Sequence, residues 1–217
     1  MHLTPDSIVY WQNGIVVVNA TLVNTWLVMV VLTAGSWLAT RHLTPTGAAS
    51  RWQTALETIV TLIEGQIGEI AGRHARRYLS FVGTLFLLIV CANLLSIVPG
   101  YRSPTGSLST TAALAACVFV AVPLFGIIQL GLRHYLRQYV QPSVLMLPFN
   151  LIGELSRTLA LAVRLFGNVM SGEMIVAILL AIVPLFFPVI MQMMGLLVGV
   201  IQAYIFAVLA TVYIASA

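Results

Sequence analysis

Five runs of this chain are apolar over the length a helix needs to cross a bilayer. They cover about 22–40, 78–98, 111–132, 151–182 and 189–215, against the roughly 20 residues that one crossing requires. The pattern predicts an all-α integral membrane protein with about five transmembrane helices. The last two runs exceed one membrane thickness, and Pro184 and Pro188 in "VPLFFPV" fit a break that folds them into a long, tilted hairpin. Between the first and second runs, Leu56, Ile59, Val60, Ile63, Ile67 and Ile70 recur at helical spacing among Glu57, Glu64 and Glu69. That spacing predicts an amphipathic segment over 52–77 lying along the membrane interface, its three acids on the wet face. Near the start, Asn13-Gly14 separates "IVYWQ" from "IVVVN" and fits the turn of a small hairpin. The opening residues lack the basic stretch of a cleaved leader, so the N-terminus is expected to be retained. No repeat or long polar linker divides residues 1–217, which read as one transmembrane domain.

Composition agrees with a lipid environment. Of 217 residues, 60% are hydrophobic and 7% charged, where a soluble domain carries about 25% charged residues. The net charge of +4 rests on ten arginines, with no lysine, against six acids. Most of those arginines lie in loops beside apolar runs, which points to membrane topology and away from nucleic acid. Arg41, Arg51, Arg73, Arg76 and Arg77 lie between the first and second runs, and Arg133 and Arg137 follow the third. The loop between the second and third holds only Arg102. The positive-inside rule then puts the N-terminus outside and, after five crossings, the C-terminus in the cytoplasm. Cys91 and Cys117 lie in apolar runs without metal-ligand spacing and read as packed, reduced thiols. No cofactor motif is present, and without a Gly-rich phosphate loop ending in Lys-Ser/Thr the chain is not a nucleotide hydrolase by itself.

The chemistry concentrates in "GELSRTLALAVRLFGNVMSGEMI", residues 153–175. An arginine at the centre of a membrane helix costs roughly 2.5–3.5 kcal/mol on insertion scales, so Arg164 needs a purpose. At about 100° per residue, Arg157, Arg164, Asn168 and Ser171 fall within about 60° of one another. Glu173 points the other way, roughly 13 Å further along the axis. Arg164 and Glu173 are therefore not an ion pair within the helix. Glu154 can reach Arg157 at i+3, and Arg157 can also snorkel to the interface. On the last run, Gly195, Gly199 and Gln202 share a face. Two small residues four apart allow close helix approach, and an amide beside them can bond across it, toward Arg164 or a chain of water.

"LALAVRLFGNVMSGEMI" followed by "GVIQAYIFAVLATVYIA" resembles the subunit a family of F-type ATP synthases, with supporting similarity in "CANLLSIVPGYRSPTGSLSTTAALA". The resemblance covers roughly residues 55–217. It implies a stationary subunit whose helix hairpin packs against the rotating c-ring, with the peripheral-stalk subunit b and membrane lipid as further partners, in the bacterial inner membrane. It makes Arg164 the stator arginine facing the ring carboxylates. Asn168, Glu173 and Gln202 then line or support two ion half-channels, with Gly195, Gly199 and Ser171 beside them. Two positions depart from many relatives: Ser96 stands where an acid is common, and Gly195 where a histidine or acid occurs. The coupling ion, H⁺ or Na⁺, stays open. A secondary transporter would show repeated halves, and a purely structural subunit would leave Arg164 and Gln202 unexplained.

Overall fold

The computed structural model describes residues 9–13, 16–41, 51–72, 75–98, 101–132, 146–182 and 187–216. Two short antiparallel strands, β1 (Val9–Asn13) and β2 (Val16–Asn19), come first. Trp11 pairs with Val18 and Asn13 with Val16, with an irregularity between Val9 and Trp11. The expected hairpin is thus formed, while residues 14 and 15 of its turn lie outside the described residues.

Helices make up the rest. They are α1 (Ala20–Thr40), α2 (Arg51–Ala71), α3 (Ala75–Leu94), α4 (Leu108–Leu130), α5 (Met146–Ile182) and α6 (Phe187–Ala215). Five of them, all but α2, are long and apolar enough to cross a membrane. The stretch expected to be one interfacial segment over 52–77 is divided. α2 stops at Ala71, Gly72 takes φ +56°, a left-handed conformation that only glycine adopts without strain, and α3 begins at Ala75. Arg77 therefore stands on the first turn of α3, a helix fit to cross a membrane, rather than on α2. The arginines at 73, 133 and 137, and Pro184 of the expected break, lie outside the described residues.

The core lies where α3, α4, α5 and α6 meet. Leu85, Ile89, Leu114, Val118, Leu161, Leu165 and Phe206 form one buried cluster. A second, of Ile67, Tyr78, Val82, Val122 and Ile214, ties α2 to the bundle. Polar bonds add directional fixings within this apolar packing. Tyr204 donates to Oε1 of Gln66 at 2.5 Å, joining α6 to α2, and the Gln129 amide bonds to the Tyr78 hydroxyl between α4 and α3. The helices are unequally enclosed: 39% of the α4 span is buried but only 6% of the α5 span. Both α5 and its charged stretch are therefore largely presented outward. Of the two free cysteines, Cys91 is half-buried but Cys117 is exposed on α4, which corrects the expectation that both are packed.

Candidate functional site

The polar stripe read from helical periodicity exists, and it faces away from the chain's own core. Leu161, Ala162 and Leu165 turn inward on α5, whereas Arg157, Arg164 and Ser171 are exposed. Asn168 is half-buried beside them. Glu154 and Arg157 do form the local pair, at 3.9 Å, and the Arg157 guanidinium also lies 5.8 Å from the Tyr213 ring centroid on α6. Arg164 has no such neighbour among the described residues. Its charge stands on an outward face of a helix that reads as membrane-spanning.

Glu173 is held from the opposite side of α5 by the segment joining α3 to α4. That segment folds back into the protein instead of spreading into solvent. Ser103, Pro104, Thr105, Gly106 and Ser107 are all buried, the middle three as a single 3₁₀ turn. The backbone amide of Ser103 donates to the Glu173 carboxylate, and the charge of Arg102 acts on it. Gly106 is pressed against the same carboxylate, so closely that a Cβ there would stand 3.2 Å from Oε1. Asn24 of α1 fixes the segment from a third direction, its amide donating to the Arg102 carbonyl at 2.8 Å.

Asn93 near the end of α3 is the hub of this arrangement, and sequence reading missed it. Its Nδ2 donates to the Gly199 carbonyl of α6 at 3.0 Å, and its Oδ1 accepts from Thr105 Oγ1 at 3.0 Å. Thr105 and Ser103 share a hydroxyl hydrogen bond of 2.6 Å. A buried amide with so many partners is satisfied, whereas an unpaired one would be costly. Its only sequence signal was a lone asparagine within the apolar run "IVCANLLSIV".

Between these parts lies a cavity of about 500 Å³, lined by Asn93, Ser96, Tyr101, Asn168, Glu173 and Gln192 among others. It reaches Asn168, one turn from Arg164, but Arg164 and Gln202 do not line it. A smaller one of about 170 Å³ adjoins Asn168 and Ser171. Gly195 and Gly199 border both cavities, and this changes their expected part. Gly199 accommodates Asn93 of α3, whose amide would sit 3.0 Å from an added Cβ, while Gly195 has nothing within 4 Å. Gln202 is buried, and its amide nitrogen has no hydrogen-bond partner among the described residues. The bond from Gln202 toward Arg164 that the shared face had led us to expect is not formed within this chain. Tyr101, between α3 and α4, likewise buries an unpartnered hydroxyl. Burial, with Cys91 and Glu173 adding to it, pushes its phenol above the ordinary range and keeps it neutral.

A family model described as ATP synthase A chain matches residues 22–215. ATP synthase subunit a 2 of Acaryochloris marina is 63% identical over 217 residues, covering all of this chain and 93% of that protein. ATP synthase subunit a 1 of Crocosphaera subtropica is 61% identical over 216 residues, covering 100% of this chain and 94% of that one. ATP synthase subunit a 1 of Chlorobaculum parvum is 59% identical over 217 residues, covering 100% and 96%.

Proposed function

The chain belongs to the ATP synthase A chain family, and from that premise we propose that it forms two ion half-channels beside a rotating ring of carboxylate-bearing subunits. It is a stator and not itself a catalyst: ion flow past it drives rotation, and rotation is coupled to ATP synthesis or hydrolysis elsewhere in the complex. The observation that carries this reading is Arg164, exposed on a mostly unburied α5 in a span fit to cross the membrane. A guanidinium facing lipid alone is expensive, and a ring carboxylate passing in front of it removes the expense.

The mechanism follows from charge and access. A rotor carboxylate must take up its ion, H⁺ or Na⁺, from one side and release it to the other. A fixed positive charge between two unconnected aqueous paths forces the release, since the carboxylate is favoured in its ionised form beside it. Arginine suits this task because its delocalised guanidinium stays charged while protons move past. The cavity holding Glu173 supplies the path on one side. Its lining runs from Tyr101, Arg102 and Ser103 of the segment that follows α3 to Asn168, a turn from Arg164. Gln202, with a spare buried donor, supports the same region from α6. The six acids of this chain include none on the exposed stripe at the level of Arg164, which leaves the rotating ion carrier to the c-ring. The peripheral-stalk subunit b and membrane lipid are the remaining partners, and no nucleic acid is bound.

In the bacterial inner membrane the arginine distribution supports an orientation with the segment around Arg102 outside, the N-terminus outside and the C-terminus in the cytoplasm. Both the path and the orientation are tested by thiol labelling after Cys91 and Cys117 are replaced by alanine. A cysteine at Ala177, which lines the cavity, is expected to react with an impermeant reagent from the outer face. One at Leu132, just past α4, is expected to react from the cytoplasmic face. Labelling of both from one face would overturn the orientation, and an Ala177→Cys site closed to the outer face would overturn the path.

A further inference from the structure

We propose that Asn93 is a positioning residue for Glu173: through Thr105 and Ser103 it fixes the buried turn whose backbone amide meets the Glu173 carboxylate, and so sets the ion affinity of the outer path. This rests on the half-channel reading above. The lever is short, because one residue makes both contacts. The Ser103 hydroxyl turns back toward Asn93, at 2.6 Å from Thr105 Oγ1 and 3.5 Å from Asn93 Oδ1, while its amide points forward to Glu173. Asn93 is in turn fixed from behind. Its Nδ2 is bonded to the Gly199 carbonyl, and a Cβ at Gly199 would approach Nδ2, Cγ and Cβ of Asn93 to 3.0, 3.1 and 3.2 Å. Asn93, Ser103 and Thr105 are 4%, 1% and 0% exposed, so little of this network is open even though Asn93 and Ser103 border the cavity. Networks of this kind transmit the loss of one member to the rest, because each bond orients the next.

The bland alternative is that Asn93 merely staples α3 to α6. The two roles differ in what they move. A staple affects how much complex assembles, whereas a positioning residue alters the carboxylate's response to ion concentration. The other charged or titratable groups around Glu173 are few: Arg102 and Tyr101 come from the same segment, Cys91 of α3 acts on Tyr101, and the polar lining residues from α3, the turn after it and α6 are neutral Asn93, Ser96 and Gln192. A changed pH profile would therefore report on the carboxylate and its immediate partners.

The test uses the whole ATP synthase complex in vesicles, with ATP-driven and passive flux measured between pH 5.5 and 9 and scaled to assembled complex. In Asn93→Ala and Thr105→Val the amide of Ser103 is freed from its fixing. A hydrogen bond to the ionised carboxylate weakens, so the flux midpoint is expected to move to higher pH by about one unit. Thr105→Ser, which keeps the hydroxyl, is expected to restore the profile. Superimposable profiles for Asn93→Ala and Thr105→Val would overturn the proposal. Should Asn93→Ala not assemble, the near-isosteric Thr105→Val decides alone. An Arg164→Ala complex run in parallel separates the two levels. Coupled flux surviving there would remove the half-channel reading itself, whereas unshifted profiles beside an inactive Arg164→Ala complex would remove only the part assigned to Asn93.

Discussion

Gly106 and Glu173 are in such close contact that a Cβ on the glycine would lie 3.2 Å from one carboxylate oxygen and 3.4 Å from the other. Gly106→Ala therefore cannot be accommodated without moving the carboxylate by a few tenths of an ångström. The moving part is the far end of a flexible side chain, so the cost should sit at the low end of the roughly 1–3 kcal/mol seen for overpacking. The expected outcome is a complex assembled in normal amount with ion flux reduced several-fold. Unchanged flux would show that the position of Glu173 against this turn is immaterial.

Gly195 and Gly199 have different surroundings and should respond differently to alanine. Within a helix, alanine is favoured over glycine by about 1 kcal/mol. At Gly195, where nothing lies within 4 Å, that gain meets no opposing contact. At Gly199 the methyl group would strike Asn93, which is buried and could move aside only by giving up its bonds to Gly199 and Thr105. Overpacking of roughly 1–3 kcal/mol then outweighs the helix gain. Thermal unfolding of the detergent-solubilised complex should show Gly195→Ala at or above the parent Tm and Gly199→Ala below it. The reverse order would contradict the packing described for the α3–α6 contact.

The unequal fate of these glycines shows what the sequence could convey. Periodicity correctly gave the crossing helices and the exposed stripe of Arg157, Arg164 and Ser171, because both depend only on positions along one helix. It put Gly195, Gly199 and Gln202 on one face but could not say which helix that face meets. Gly199 turned out to receive Asn93 of α3, and Gln202 to be buried without a bond to Arg164. The turn from Ser103 to Ser107 was the least legible part. Its letters, "SPTGS", are those of a solvated loop, and its burial depends on Asn93 of α3 and Glu173 of α5. Polar residues in a buried loop are recognisable once their partners are known, and those partners lie on two separate helices.

Tyr101 carries the converse of a satisfied polar network. Its hydroxyl is buried without a hydrogen-bond partner among the described residues, and removing an unsatisfied buried group is neutral or favourable when the shape is kept. Tyr101→Phe is expected to leave the Tm of the solubilised complex unchanged or raise it, by an amount corresponding to no more than about 1 kcal/mol. A fall in Tm would mean that a partner, such as bound water in the cavity, already satisfies the hydroxyl.

The exposed guanidinium of Arg164 is what the half-channel mechanism requires of this chain, and ATP-driven ion pumping by complexes carrying Arg164→Ala tests it most directly. With assembled complex quantified in the same vesicles, pumping is expected to fall to background, because nothing would then force the passing carboxylate to release its ion. Arg164→Lys, a compact and deprotonable charge in place of a permanent planar one, should also pump poorly. Coupled pumping at the parent rate by Arg164→Ala would contradict the mechanism.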